Sequence, residues 1–462
     1  MSVGSPLEAY GQPGVEEIKM KRWVVVLLVL LAVVILVSPG IVGHLAEQNL
    51  KNSISWAESE SDDFLVTEEK FDRGWFTAEG RHRIQLQHGE VRSSIIKLSG
   101  VAAGDDIPAL IVDTRIDHGL VPITSMSRKS GSLMPGLART VSTLKLDPGD
   151  GNLVAIPGTL YSQVRLSGST VSRYLLEAGS FEGDDVEIAW HGADLSMTAD
   201  AARRRLRYDG TIDPVSLQTP DESVQLGLVT VEGDSRQTDY GFMVGAVSLS
   251  VDSLSIAPTA AGKVSTGNII LDARTDLVEE RVSGKTTLTV ADLALPDFGD
   301  VDLAMDVSAH GLDARSLNAI VVELQKAQRA DDPDRALAAL YPHIEEDLRR
   351  LLSAGGELRI DRFDVTLPQG EVTTKLSFAL PEADAAATFS WAALILALTA
   401  SADLRMPAAL IELARTANPE SAALISMGIL KKDGDSYIVN ARYEKGLLTV
   451  NGAPMPIPLP GR

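Results

Sequence analysis

Histidine is the residue type that most often signals chemistry, and its spacing in this chain signals none. The seven imidazoles are His44, His82, His88, His118, His191, His310 and His343. A zinc-hydrolase helix needs two imidazoles four residues apart so that both reach one ion, with a glutamate beside them. No pair here has that spacing. His82 and His88 share one face of an extended segment by period two, and with no carboxylate in register they read as surface residues. Gly284-Lys285-Thr286 imitates the tail of a phosphate loop, but Glu279 stands where the first glycine is required. No helix follows to turn its N-terminus on a phosphate, so the triplet reads as a turn. Ser94 with Lys97, and Ser142 with Lys145, match the Ser-x-x-Lys of penicillin-recognising enzymes. Neither is followed by the Lys-Thr-Gly or Ser-Asp-Asn partners of that chemistry. There is no Gly-x-Ser-x-Gly elbow, and no carboxylate pair predicts a glycosidase site. No catalytic, cofactor-binding or metal residue is assigned, no cofactor is expected, and a non-enzymatic role is favoured.

Composition narrows the classes further. The chain has 462 residues, a net charge of −21, 45% apolar residues and only 5% aromatics. Its core must therefore rest on Val, Leu, Ile and Ala. The first 43 residues carry three basic and three acidic side chains, so the whole excess of negative charge lies beyond them. Such a body does not bind nucleic acid by bulk electrostatics. There is no cysteine, which excludes disulfides, thiol nucleophiles and Cys-based zinc sites.

Trp23 to Gly43 is a run of 21 residues without a charge, preceded by Lys19, Lys21 and Arg22. A bilayer core takes about 20 apolar helical residues. Basic residues resist translocation, so the sequence predicts a single-pass anchor with its N-terminus cytoplasmic and its body exported. The competing reading is a signal peptide cleaved before Ile41, but the apolar run is long for one and a polar tail of 18 residues precedes the basic cluster. Ala385 to Ala402 is a second uncharged stretch, read as a buried helix or strand rather than a second span.

From Asp62 onward alternation dominates, as in Arg83-Ile84-Gln85-Leu86-Gln87, and turn residues punctuate it at short intervals. One pattern recurs: a strand-like segment with an aspartate, at Asp213, Asp252, Asp292 and Asp361. The spacings of 39, 40 and 69 residues suggest a long antiparallel meander with an insert before the last copy. The insert reads as helical: Asp313 to about Ala330, then Pro333 to Leu352, ending near Gly355-Gly356. A further helix is predicted over about Ala408 to Thr416, a short one after Pro419, and a closing hairpin from Tyr437 to Asn451 with a turn at Glu444-Lys445-Gly446.

Three ordered segments resemble the YdgA-like family of bacterial envelope proteins: Arg73-Gly74-Trp75-Phe76 after the apolar run, Asp117-His118-Gly119 followed by Pro122, and the ending Gly446-Leu447-Leu448-Thr449-Val450-Asn451-Gly452. The resemblance covers about Lys21 to the C-terminus. It implies an envelope protein without an established activity. The 18-residue tail and the Ala-rich stretch 385–402 depart from the family pattern. Each motif falls at an element boundary, so a structural role is expected for Arg73, Gly74, Trp75, Phe76, Asp117, His118, Gly119, Asn451 and Gly452.

The chain is thus expected to be an α+β protein. Residues 1–22 form a cytoplasmic tail, 23–43 a transmembrane anchor, 44–61 a linker helix, and 62–462 a periplasmic body. That body is one long, curved, mostly antiparallel sheet with a few packed helices. Expected partners are the bacterial inner membrane through 23–43 and a lipid or other apolar ligand in a groove. The alternatives are a homo-oligomeric or partner-binding envelope scaffold, and a hydrolase using His118.

Overall fold

The computed structural model describes residues 64–73, 77–86, 109–118, 136–147, 153–165, 167–183, 186–258, 263–295, 299–328, 330, 333–383, 390–417 and 420–455. Seven strands come first: β1 (Phe64–Arg73), β2 (Thr77–Leu86), β3 (Ala109–His118), β4 (Gly136–Asp147), β5 (Val154–Arg165), β6 (Thr170–Gly183) and β7 (Val186–Ala199). Each pairs antiparallel with the next. The next strands are broken in two: β8 (Arg205–Ile212) with β9 (Val215–Gln218), β10 (Glu222–Leu226) with β11 (Val229–Gln237), β12 (Met243–Val251) with β13 (Leu254–Pro258), and β14 (Val264–Thr266) with β15 (Ile269–Val278). β7 pairs with β8 through 193–199 and with β9 through 187–190. Two tracks, β8–β11–β12–β15 and β9–β10–β13–β14, then run side by side and rejoin on β16 (Arg281–Leu295). β17 (Gly299–Asp313), β18 (Gly356–Leu367), β19 (Gly370–Leu380) and β20 (Thr399–Pro407) follow in turn. β21 (Lys431–Asp433), β22 (Ser436–Glu444), β23 (Leu447–Val450) and β24 (Ala453–Met455) close a single 24-stranded sheet.

The recurring aspartates mark a seam across this sheet. Asp213 lies in the break between β8 and β9, and Asp252 in that between β12 and β13. Asp292 and Asp361 lie at register shifts inside β16 and β18. The backbone ladder still continues through the seam: Asp213 N–H donates to Gly192 O at 3.0 Å, Asp252 N–H to Leu228 O at 2.9 Å, and Gly267 N–H to Ala291 O at 2.9 Å. Bulges of this kind leave a residue unpaired, bend the strand and increase its twist, and pairing resumes on either side. Gly192, at φ 141°, faces Asp213 so closely that a Cβ would lie 3.0 Å from its carboxylate.

The helices occupy connections. α1 (Ala314–Gln328), α2 (Pro333–Ala338) and α3 (Tyr341–Ser353) form the insert between β17 and β18. Asp313 caps α1, accepting from Ser316 N–H at 2.8 Å. The predicted helix over Pro333 to Leu352 is split because Pro342 opens α3. α3 stops before Gly355, at φ 76°. α4 (Trp391–Ala397), α5 (Ala408–Ala417) and α6 (Glu420–Ser426) follow. Of the stretch 385–402, residues 385–389 lie outside the described residues; the rest forms α4, seven residues long with Trp391 and Leu396 exposed, and then enters β20.

The expected single-pass architecture does not stand. Among the described residues no helix is long and apolar enough to cross a membrane. The longest, α1, has 15 residues; at 1.5 Å per residue it reaches about 22 Å against a core of about 30 Å. The predicted anchor 23–43 and linker helix 44–61 lie outside the described residues. The inner membrane as a partner, the cytoplasmic N-terminus and the periplasmic placement of the body rested on that anchor and lose their support with it. The β-rich body with few helices remains.

Candidate functional site

Register sorts the side chains onto two unlike faces, because residues paired across an antiparallel ladder project to the same side. One face is polar. Arg81 pairs with Asp113 at 2.6 Å, and Lys145 joins them at 2.8 Å. Further along, Arg205 and Arg207 each hold Asp234 at 2.8 Å, and their hydrogen bonds keep its carboxyl down at about 2. Arg442 pairs with Asp403 at 2.8 Å.

The other face is mostly apolar among the described residues. Over β1–β7 it forms a buried cluster including Val66, Ile84, Leu110, Leu144, Ile156, Leu160 and Leu176. It continues across the middle strands in rows. One row is Val231, Leu249, Leu271, Leu288, Met305 and Phe363. Its neighbour is Val229, Val251, Ile269, Val290, Leu303 and Val365. None of these twelve side chains is buried; each is half-exposed. At the far end helices close over the same face. Tyr443 Oη donates to Ile395 O of α4 at 2.9 Å, and Ile411 of α5 packs on Tyr437 and Leu430.

A cavity of about 360 Å³ lies where the buried and half-exposed stretches meet. Leu160, Tyr174, Leu195, Met197, Leu206, Tyr208, Val231, Val247, Leu249 and Leu271 line it, with Ser172, Ser196 and Asp209. Tyr174 is buried and donates to Pro157 O at 2.6 Å; its burial pushes the phenol up to about 12. Tyr208 lies over Gly233, where any Cβ would meet its ring at 2.3 Å, so glycine is what lets the ring form the cavity wall. A patch of buried hydroxyls adjoins the cavity. Ser162 and Ser172 are hydrogen-bonded at 2.8 Å, as are Thr114 and Ser142, and Thr140 Oγ1 has no partner.

The sequence-predicted residues fall in several places. Arg73 ends β1 opposite Ala78. Gly74, Trp75, Phe76 and Gly119 lie outside the described residues. Asp117 is a buried residue near the end of β3, opposite Thr77 and Arg139. His118 is the last residue of β3, opposite Ala138. Asn451 and Gly452, at φ 50° and 83°, make the two-residue turn between β23 and β24. They stand far along the chain from Asp117, and among the described residues no contact joins the two motifs. Gly284-Lys285-Thr286 is no turn: it lies inside β16, paired with β15 and β17. Ser142 and Lys145 project to opposite faces, Ser142 bonded to Thr114 and Lys145 to Asp113, which removes an acyl-enzyme pairing.

His82 overturns its surface reading. It is 4% exposed on the apolar face, with Nε2 unpartnered. Burial pushes its imidazole below the ordinary value, opposed by Glu68. The unfolded chain takes up a proton near pH 6.5 where the fold resists one. Its contribution is therefore whole above that pH and declines as pH falls through it. Urea midpoints measured from about pH 7 to about pH 5 should drop for the native chain and drop less for His82→Leu. Parallel curves would show that other groups control the acid limb.

Sequence reasoning missed the hydroxyl patch and the cavity. The comparisons add a family and no ligand. A family profile described as "Bacterial protein of unknown function (DUF945)" matches residues 19–458. Protein YdgA of Escherichia coli (strain K12) is 22% identical over 197 residues, 40% of this chain and 38% of that protein. The matched part thus spans about two fifths of that relative's length. No solved structure matches the chain. The profile match runs through nearly the whole sequence, and the chain belongs to the DUF945, YdgA-like family of bacterial envelope proteins of unknown function.

Proposed function

We propose that the protein binds an elongated apolar molecule along the uncovered face of its sheet and is not an enzyme. One observation carries this reading. Two adjacent rows of six aliphatic, Met or Phe side chains cross the middle strands half-exposed, and they lead into a cavity whose lining is mostly apolar. Exposed apolar surface of this continuity marks a binding surface in soluble folds. Covering a half-exposed Leu or Val there removes about 1 kcal/mol of unfavourable exposure per side chain. The ion pairs Arg205–Asp234 and Arg442–Asp403 lie on the reverse face.

The test is organic extraction of the purified full-length chain followed by mass spectrometry. An apolar molecule recovered at a fixed molar ratio is the expected result. Protein that yields none, and that also leaves an environment-sensitive naphthylamine dye dark, overturns the proposal.

A further inference from the structure

The cavity is closed at one end and open at the other. On β5, β6 and β7 its lining residues Leu160, Tyr174 and Met197 are buried, and beyond them the face is packed as core. On β11, β12 and β15 its lining residues Val231, Leu249 and Leu271 are half-exposed. Their row runs on, equally exposed, to Leu288, Met305 and Phe363. Two glycines let the closed end form. At Gly210 a Cβ would lie 2.7 Å from Leu195 Cδ2, and at Gly233 one would meet the Tyr208 ring. Each bulky side chain can therefore lie across the neighbouring strand. A dry apolar cavity of about 150 Å³ takes a benzene ring, so one of about 360 Å³ has room for roughly a dozen carbon atoms. The polar groups at the closed end are already engaged, Tyr174 with Pro157 O and Ser172 with Ser162. None of the described residues that line the cavity is basic, and Asp209 is acidic.

Resting on the apolar-ligand reading, we infer that the cavity receives the unsubstituted end of a hydrocarbon chain. The ligand is then a long-chain molecule that lies tail inward, with its other end out along Leu288, Met305 and Phe363. A hydroxyl at the tail would give up its water at the closed end without gaining a partner. A carboxylate there would do so beside Asp209, with no cation to meet it. The outer end lies on half-exposed strands and keeps its water, so binding is nearly indifferent to the group it carries.

The test uses purified full-length chain, freed of detergent and loaded with the naphthylamine dye. Displacement is measured with methyl palmitate, methyl ω-hydroxypalmitate and palmitate. The first two differ only at the tail, the first and third only at the head. Methyl ω-hydroxypalmitate should need roughly ten-fold more than methyl palmitate, and palmitate no more than about three-fold more. Val231→Trp and Val247→Trp each fill the cavity from a lining position that is not buried. In both, the tail penalty should shrink to about two-fold, because the tail no longer enters. Leu288→Trp, on the same row outside the cavity, should keep the full penalty. A native far-ultraviolet circular dichroism spectrum qualifies each variant, and the comparison on the native chain decides by itself if none folds. Equal displacement by methyl palmitate and its ω-hydroxyl form, or no displacement by any of the three, overturns the tail-inward inference and leaves the apolar reading standing. A penalty that survives both filling substitutions also overturns it. A chain that never binds the dye removes both readings.

Discussion

An Asn451→Ala chain should lose about 3 kcal/mol of stability, the largest effect expected from any single exposed-turn residue here. Asn451 does more than turn the chain. Its Oδ1 accepts from Asn440 N–H at 2.9 Å, and its Nδ2 donates to both Gly428 O and Ile429 O at 2.9 Å. Those carbonyls belong to the segment leaving α6, so one side chain ties the closing hairpin to the helical layer above it. Three hydrogen bonds at about 1 kcal/mol each dominate the loss, less what water recovers. Its left-handed backbone adds roughly 1 kcal/mol for alanine. Asn451→Gly separates the two: it keeps the turn and loses the ties, and should cost about 2 kcal/mol. Asn451→Asp keeps the acceptor but points a charge at two carbonyls, and should be no better than alanine. Urea denaturation of the four chains decides it. Alanine and glycine variants within about 0.5 kcal/mol of the native chain would mean that the ties carry no weight.

The second large effect is functional. Leu249→Glu with Leu271→Glu sets two carboxylates side by side in the centre of the apolar row, at paired positions of β12 and β15. Each must keep its water, so a bound hydrocarbon cannot cover it without a penalty of several kcal/mol. Affinity for the naphthylamine dye, or for any apolar ligand recovered by extraction, should fall by roughly a hundred-fold or more. The native side chains are only half-buried, so the fold should survive, with an unchanged far-ultraviolet circular dichroism spectrum as the check. The matched control is Thr230→Glu with Ser250→Glu, also a cross-strand pair but on the opposite face. Equal loss in both double variants would show that charge repulsion in the sheet, not the apolar face, sets the affinity.

Much of the architecture is readable from residue order, and the reasons it fails elsewhere are specific. Asp313 announces α1 because a short acceptor before an apolar period of 3.6 has few other uses. Asn451-Gly452 announces a hairpin turn because few other residues tolerate two consecutive positive φ values. The aspartate recurrence marks the seam, since each copy sits where a strand breaks or bulges. Parity is where reading fails. In Thr140-Val141-Ser142 the apolar residue suggests the inward face, yet Thr140 and Ser142 are the buried ones and Val141 projects among Arg115 and Tyr161. Leu144 and Leu146, further along the same strand, fix that parity, and only pairing shows that they share it. His82 was misread for the same reason: a titratable side chain on an alternating strand looks like the wet face until its neighbours Ile84 and Ala78 are seen to be core. Gly284-Lys285-Thr286 looked like a turn because its composition is that of one, and its partners on both sides hold it extended.

The seam also makes the molecule a ruler. Between Asp213 and Asp292 the chain repeats a unit of 39 and then 40 residues, and each unit adds one pair of long strands with its own kink. Strands stand about 4.8 Å apart, so inserting or deleting one unit would change the length of the apolar row by roughly 10 Å while leaving the ladder on either side intact. Relatives that differ by whole units would then differ in the length of apolar surface they present, with no change in the first seven strands. Length, in such a design, is an adjustable property of the gene rather than of any single residue.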